Sequence, residues 1–542
     1  MSISRKKNAT KKSPAKKTVV KKATAQNPAG PKTATAAQTT ALQKTANPDG
    51  VSIRMYCLGT GDCFLVRFHK GDTTVFTMMI DCGSCRGNKK DFQPYIDNLV
   101  DALPDKTIDL LVVTHEHNDH VNGFAKCIDS FEQLTIKEAW FAWTENPVDP
   151  GGAAAELKKK QQKMKRSLSN AIHAIGKSDR SQAAKAAFLN GLNTLADINL
   201  PDVDPEDPEN PQEDGPGPLP GMKKIKDLLL KKKVRTRYLN PGETIVLPDL
   251  PGMRFYVLGP PSDRSYIYTD GREGTDVYNK NLALNDSSLA INALLAMQDQ
   301  HGKKDCPFSG SYVMKATKIP LATTVNPLTK ADSTAPGDAQ SVIRSYNNEK
   351  NSWRRIDEDW LSGAGALALR LNSHINNTSL VLAIESAHTE KVLLFPGDAE
   401  YGSWESWHLI KDWMEKGKDK TPWAQDLLRR TVFYKVGHHL SFNGTALEKG
   451  IRLMTSPDLA AMASLDRQRI AKAWTTTMPN KLLLQELIRR TQGKCFIMDE
   501  FGIESAPSKT LNPGSLGKAT YETGPSPDGK KTLYKEYTIS GF

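Results

Sequence analysis

In IDLLVVTH, residues 108–115, the stretch from Leu110 to Val113 is continuously aliphatic and then breaks into HEHNDH. An unbroken run of Leu and Val suits a strand buried on both faces, because alternation disappears when neither face meets water. Such strands belong to layered α/β folds, where functional residues collect at the carboxyl ends of strands. Two later runs obey the same rule: KVLLFPGD stops at Asp398, and TVFYKVGHH stops at His438 and His439. Three strand ends finishing in residues of metal-ligand type are what an assembled two-metal site requires.

The spacing inside HEHNDH adds chemistry. In extended backbone His115 and His117 point to the same side and reach one ion. Asp119 and His120 follow the turn and reach a second. Imidazole with carboxylate suits Zn²⁺, with Mn or Fe as substitutes, rather than Ca²⁺ or Mg²⁺. Two ions about 3.5–4 Å apart need a shared ligand, and Asp398 is the candidate. Taken singly, a histidine after a strand is an ordinary loop residue and Gly-Asp an ordinary turn. The convergence of spacing and strand ends argues for a site.

The surrounding sequence extends the α/β pattern. SIRMYCLG and DCFLVRF alternate as strands around the turn Gly59-Thr60-Gly61-Asp62, TTVFTMMIDCGS is a third strand, and DFQPYIDNLVDALP is a helix. Strands return at 236–261. GALALRLN, TSLVLAIES and KVLLFPGD then read as three strands in succession, followed by a Trp-rich helix from Trp404. LAAMASLD is a strand, PNKLLLQELIRRTQG a helix and KCFIMDE a strand. Two long stretches interrupt the pattern. Residues 146–233 read as a helical basic insertion, within which 201–221 is an acidic, proline-rich linker with seven carboxylates and no Lys or Arg. Residues 262–365 form a second insertion, irregular apart from the helix-like LALNDSSLAINALLAMQ.

Charge separates the arm from the body. Residues 1–50 hold eleven Lys and Arg against Asp49, which is +10 of the chain's +12. Without aromatic residues, this segment buries too little apolar surface to offset chain entropy and is expected to be disordered. Its lysine pairs suit the phosphates of a nucleic acid or of an anionic membrane surface, or a merely solubilising role. There is no secretory signal and no run of about 18 apolar residues, so neither export nor membrane insertion is expected. The seven cysteines are scattered and odd in number. They read as reduced thiols of a cytoplasmic protein, and the pair Cys82 and Cys85 lacks a partner pair for a metal site.

The pattern LGTGDCFLVRF…MMIDCGS…HEHNDH…NNTSLVLAIE…LLFPGDAE…KVGHH resembles the metallo-β-lactamase superfamily. Within it, the pattern is similar to the hydrolase domain of competence-type (ComEC-like) DNA-internalisation proteins and their soluble relatives. The resemblance covers residues 51–145, 236–261 and 366–500. It implies a four-layer αββα sandwich with two long insertions, whose first half is 51–145, with strands at 234–261 and a second half in 366–542. It also implies two divalent metal ions and hydrolysis by a metal-bridging hydroxide. By position, His115, His117 and Asp398 would hold one ion, and Asp119, His120, Asp398 and His438 the other. Asp119 would orient the nucleophile and His439 would stabilise the leaving oxygen. The favoured substrate is a phosphodiester, as in a nuclease. Ester, lactone, thioester or amide hydrolysis is the alternative, and a non-catalytic binding protein on a decayed hydrolase is a third reading. The basic arm suggests nucleic acid as a partner, and the insertions a protein. Two departures stand out. Many members add a histidine to the first site, where this chain has Asn376-Asn377, with His374 or Asn377 as possible substitutes. Leu440 stands where relatives carry glycine.

Overall fold

The computed structural model describes residues 47–177, 192–193, 195–200, 219–272, 274–277, 363–413, 423–470, 475, 477–504, 506–509 and 511–542. Most of the basic arm, the acidic linker at 201–218 and LALNDSSLAINALLAMQ lie outside the described residues.

Strand β1 (Gly50–Tyr56) pairs antiparallel with β2 (Phe64–Lys70), and β2 with β3 (Thr73–Ile80). Helix α1 (Lys89–Asp101) starts on a capping box, in which Asn88 accepts from the Asp91 N–H and Asp91 accepts from the Asn88 N–H. It returns the chain to β4 (Thr107–Val113), which runs parallel to β3. Helix α2 (Asn118–Lys126) leads to β5 (Thr135–Ala142). Helices α3 (Ala153–Lys177) and α4 (Pro220–Lys231) precede β6 (Arg235–Leu239), the last parallel strand of this sheet. The second sheet begins with β7 (Thr244–Leu247) and β8 (Leu250–Gly259). After helix α5 (Gly363–Asn376) come β9 (Val381–Ser386) and β10 (Val392–Phe395). Helices α6 (Tyr401–Trp407) and α7 (Trp423–Arg429) precede β11 (Thr431–Lys435). Strand β12 (Ala460–Asp466), helix α8 (Lys481–Arg490) and β13 (Cys495–Asp499) complete that sheet. The closing strands β14 (Thr520–Pro525) and β15 (Thr532–Ser540) return to the first sheet, where β15 pairs along the whole of β1.

Among the described residues the sheets have the orders β14-β15-β1-β2-β3-β4-β5-β6 and β13-β12-β11-β10-β9-β8-β7. They pack face to face, with Val66, Leu110, Val112, Phe255, Leu382 and Phe433 in the shared core. Phe92, Ile96, Val121, Met222 and Ile225 bury α1, α2 and α4 on the outer face of the first sheet. Trp404, Leu427 and Leu483 bury α6, α7 and α8 on the outer face of the second. The architecture is therefore the four-layer αββα sandwich. No helix among the described residues is long and apolar enough to cross a membrane.

One expectation is corrected. GALALRLN is not a strand but the body of α5. Its apolar residues Ala364, Leu367, Ala368, Leu371 and Ile375 recur at helical spacing, and Ala and Leu are strong helix formers. With Met164 and Leu168 of α3, and with Leu195, they build a separate small core. In this core α3 of the first insertion packs against α5.

Candidate metal centre

Strand ends deliver the candidate residues. Ile80 closes β3 before Asp81, and Val113 closes β4 before Thr114 and His115. Strand β10 leads into Asp398, and β11 into His438 and His439. Asp62 comes from the β1–β2 turn and Ser464 from β12. At Gly83 the backbones touch: a Cβ there would lie 2.3 Å from the Asp119 carbonyl carbon and 2.4 Å from the His120 nitrogen. Hydrogen bonds from Cys82 N to His120 O (2.8 Å) and from Asp62 N to Asp119 O (3.0 Å) hold this approach.

The hydrogen bonds determine which nitrogen of each ring is spent on the protein. His120 Nδ1 lies 2.8 Å from Asp81 Oδ2, which only accepts, so Nδ1 donates. Thr114 Oγ1 gives its proton to Asp81 Oδ2 at 2.6 Å and therefore accepts from His115 Nδ1 at 3.0 Å. Ser464 Oγ donates to Asp62 Oδ1 at 2.5 Å and accepts from His439 Nδ1 at 3.1 Å. The Asn199 amide donates to Leu195 O at 2.7 Å, which leaves its Oδ1 to accept from His117 Nε2 at 3.1 Å. The other nitrogen of every ring turns inward. His115 Nε2 faces His117 Nδ1 at 3.0 Å, and His120 Nε2 faces Asp398 Oδ2 at 3.0 Å. His439 Nε2 lies 3.2 Å from Asp119 Oδ2 and 3.3 Å from Asp398 Oδ2.

Outward N–H bonds that fix the tautomer and aim the bare nitrogen inward are how proteins hold metal-ligating histidines. Asp119 Oδ1 is buried without a hydrogen-bond partner, which a carboxylate oxygen tolerates poorly unless a bound group serves it. Bonds of about 2.0–2.1 Å in a tetrahedral shell set neighbouring ligand atoms about 3.3 Å apart, close to the inward contacts above. The donor set fits divalent ions.

Electrostatics divides the rings into two pairs. Burial, reinforced by the charge on His120, holds His115 well below the ordinary imidazole range, and burial takes His117 down to about 4. Both are neutral at pH 7. Burial opposes charge on the other pair too, but there Asp398 leads the carboxylates that outweigh it. His120 rises well above its usual range and His439 to about 9. Burial would raise Asp119, yet His120 and His439 hold it at about 2. The carboxylates draw positive charge to this point, as protons on His120 and His439 or as metal ions in their place.

Residues 58–223 match the family model of the metallo-beta-lactamase superfamily. This segment is a metallo-beta-lactamase superfamily domain. No curated protein and no solved structure matches the chain. The matched segment runs from Leu58, beside the Asp62 turn, through HEHNDH to Lys223 in α4.

Around this metallo-beta-lactamase domain, His115, His117, Asp119, His120 and Asp398 gather with His439. His438 turns away. Its Nδ1 lies 3.1 Å from Asn443 Oδ1 and 3.4 Å from Glu400 Oε1, and only its backbone N–H reaches Asp398, at 3.1 Å. Left-handed φ values at His438 (45°), His439 (49°) and Leu440 (63°) reverse the chain, so the second histidine of the pair points inward. That backbone suits glycine and strains a leucine. Neither proposed substitute faces His115. Asn377 bonds Ile267 O and receives the Glu400 and Ser403 N–H groups, while His374 packs edge-on to the Tyr268 ring at 4.6 Å. Ser379 Oγ lies 3.2 Å from His115 Nδ1, on the outward side of that ring.

Sequence reasoning missed the supporting residues Asp62, Asp81, Ser464, Lys435 and Asn199. Asp62 has an oxygen within 4.8 Å of ligand-type atoms of His120, Asp398 and His439. Both its oxygens are already engaged, one by Ser464 and the other by Lys435 Nζ at 2.5 Å, so it supports rather than ligates. The available signals were an Asp closing a Gly-x-Gly turn, an Asp directly after a buried strand, and a lysine inside an aliphatic run. Asn199 has no local signal.

Proposed function

We propose that the protein is a dinuclear metal-dependent hydrolase acting on phosphodiesters. The observation that carries this reading is the orientation of four histidine rings, each anchored outward and open inward, around two buried carboxylates. His115, His117 and Asp398 would hold one ion, and Asp119, His120, Asp398 and His439 the other. When bound, two divalent ions lower the pKa of water and offset charge developing on phosphoryl oxygens. Asp398 Oδ1 is taken by Lys435 Nζ (3.0 Å) and the His438 N–H, which leaves Oδ2 to serve the metal site. Asp119 has an unengaged Oδ1 with which to hold an attacking water and take its proton. Assistance to the leaving oxygen passes from His439 to His438. The His439 side chain is 3% exposed and committed to the carboxylates, whereas that of His438 is 18% exposed, beside Glu400 and one residue along the chain.

The likeness of the motifs to competence-type hydrolase domains and the +10 arm at residues 1–50 favour a nucleic acid as the polyanion. The test is incubation with Mn²⁺ or Zn²⁺ and labelled single- and double-stranded DNA and RNA, alongside an ester and lactone panel. Cleavage of nucleic acid that disappears in Asp119→Ala and His120→Ala is the expected result. Turnover of the acyl panel alone would retain the hydrolase and discard the phosphodiester. Uptake of less than about one metal equivalent per chain would discard both.

A further inference from the structure

We infer that the first insertion is a working part of the metal centre, with Asn199 as the positioning residue that holds His117 for one of the two ions. This rests on the dinuclear reading above. Asn199 is fully buried and its amide is saturated. Nδ2 donates to Leu195 O and to Asn372 Oδ1 (3.2 Å), which pins the amide so that Oδ1 can only accept. Its partner is His117 Nε2 at 3.1 Å. The proton is thereby placed on Nε2, and the lone pair of Nδ1 faces His115.

The residues on either side of His117 are held by the same insertion. Glu116 Oε1 receives Lys165 Nζ (2.9 Å) and the Leu219 N–H (3.0 Å), and its Oε2 receives Lys158 Nζ (2.5 Å). Asn118 Nδ2 donates to Asp197 O (2.7 Å) and Leu200 O (3.0 Å). The apolar contacts of Met164, Leu168 and Leu195 with Leu367, Leu371 and Ile375 dock the insertion on α5. His115, His120 and His439 are anchored otherwise: Thr114, Asp81 and Ser464 all belong to the sandwich. The ion bound through His117 therefore depends on the seated insertion, and the other ion does not.

The test uses the full chain, with Asn199→Leu removing the acceptor at similar volume and Asn199→Asp keeping the acceptor while giving up the two Nδ2 donors. Histidine ¹⁵N correlation spectra of metal-free protein should show His117 as the Nε2–H tautomer in wild type and Asn199→Asp, and a mixture in Asn199→Leu. In stepwise Mn²⁺ titration the wild type should take up two equivalents. Asn199→Leu should weaken one of them about 10–100-fold and leave the other unchanged, while Asn199→Asp keeps both. Should Asn199→Leu fail to fold, Asn118→Ala, which unclamps the same segment from outside the ligand set, should give the same selective loss. The inference is overturned if Asn199→Leu, or Asn118→Ala in its place, holds both ions as wild type does or weakens both equally, or if the His117 tautomer is unmoved in Asn199→Leu. A wild type that takes up no second equivalent overturns the dinuclear reading, a result seen before any variant is compared.

Discussion

His115 Nε2 and His117 Nδ1 stand 3.0 Å apart in full burial, with the second nitrogen of each ring committed to the protein. Both rings are neutral, so two lone pairs confront each other in a site that water does not solvate. A cation shared by the two nitrogens removes that conflict, and whatever binds the native state alone stabilises it.

Metal should therefore raise stability strongly. An ion at about a thousand times its Kd adds about 4 kcal/mol. Mn²⁺ or Zn²⁺ should raise Tm by several degrees over chelator-treated protein, and His115→Ala or His117→Ala should lose only part of that rise. An identical Tm with metal and with chelator would count against the site.

Gly83→Ala tests the backbone contact beneath the ligands. A Cβ at 2.3 Å from the Asp119 carbonyl carbon has no side chain to displace, so one main chain must move. The expected cost is at least about 3 kcal/mol, at the upper end of overpacking penalties. Metal uptake should fall with it, because Asp119 and His120 ride on the displaced segment. Denaturant unfolding and metal analysis of the variant check both, and wild-type values in each would show that the contact relaxes freely.

Much of this arrangement is legible in the sequence, and the illegible part has a physical pattern. Val112, Leu394 and Phe433 lie in strands buried on both faces, so their runs announce both the layers and the positions where the chain must emerge. HEHNDH and Asp398 follow from those emergence points. GALALRLN misleads because a short apolar run carries no period of its own, and only with Ala364 and Ile375 does the helical spacing show. The choice of His439 over His438 depends on three left-handed φ values that composition does not encode. Asn199 is beyond reach for a different reason: its partner lies 82 residues away, and only docking brings the two together.

Lys435→Met should destabilise the metal-free protein by about 3–5 kcal/mol, the usual result of leaving a buried charge uncompensated. Lys435 is 2% exposed and bonds Asp62, Asp398 and the Gly397 carbonyl. Burial works against its charge, but Asp398 and Asp62 outweigh burial and hold the ammonium above its usual range. The double variant Asp62→Asn with Lys435→Met removes one charge of each sign and should recover a substantial part of the loss. Chemical denaturation in the presence of chelator measures both, and equal destabilisation of the single and double variants would refute the coupling.

Glu145 sets the acid limit of the insertion contacts. Burial would raise its carboxyl, but Lys158 and Lys226 outweigh burial and lower it from the ordinary value of 4.5. Lys226 Nζ lies 2.8 Å from Oε2, and Lys158 Nζ contacts Oε1. A carboxyl whose folded pKa lies below its unfolded one contributes stability above the unfolded value and loses it as pH falls through the folded one. The two lysines are about a quarter to a third exposed, which trims the contribution to about 1–3 kcal/mol at pH 7. Glu145→Gln should accordingly be less stable than wild type at pH 7. The gap should persist down to about pH 5 and narrow progressively below the unfolded carboxyl pKa. Thermal unfolding of both proteins at pH 7, 5 and 4 follows it. A gap that stays constant or widens toward acid would mean that Glu145 acts through packing and not through its charge.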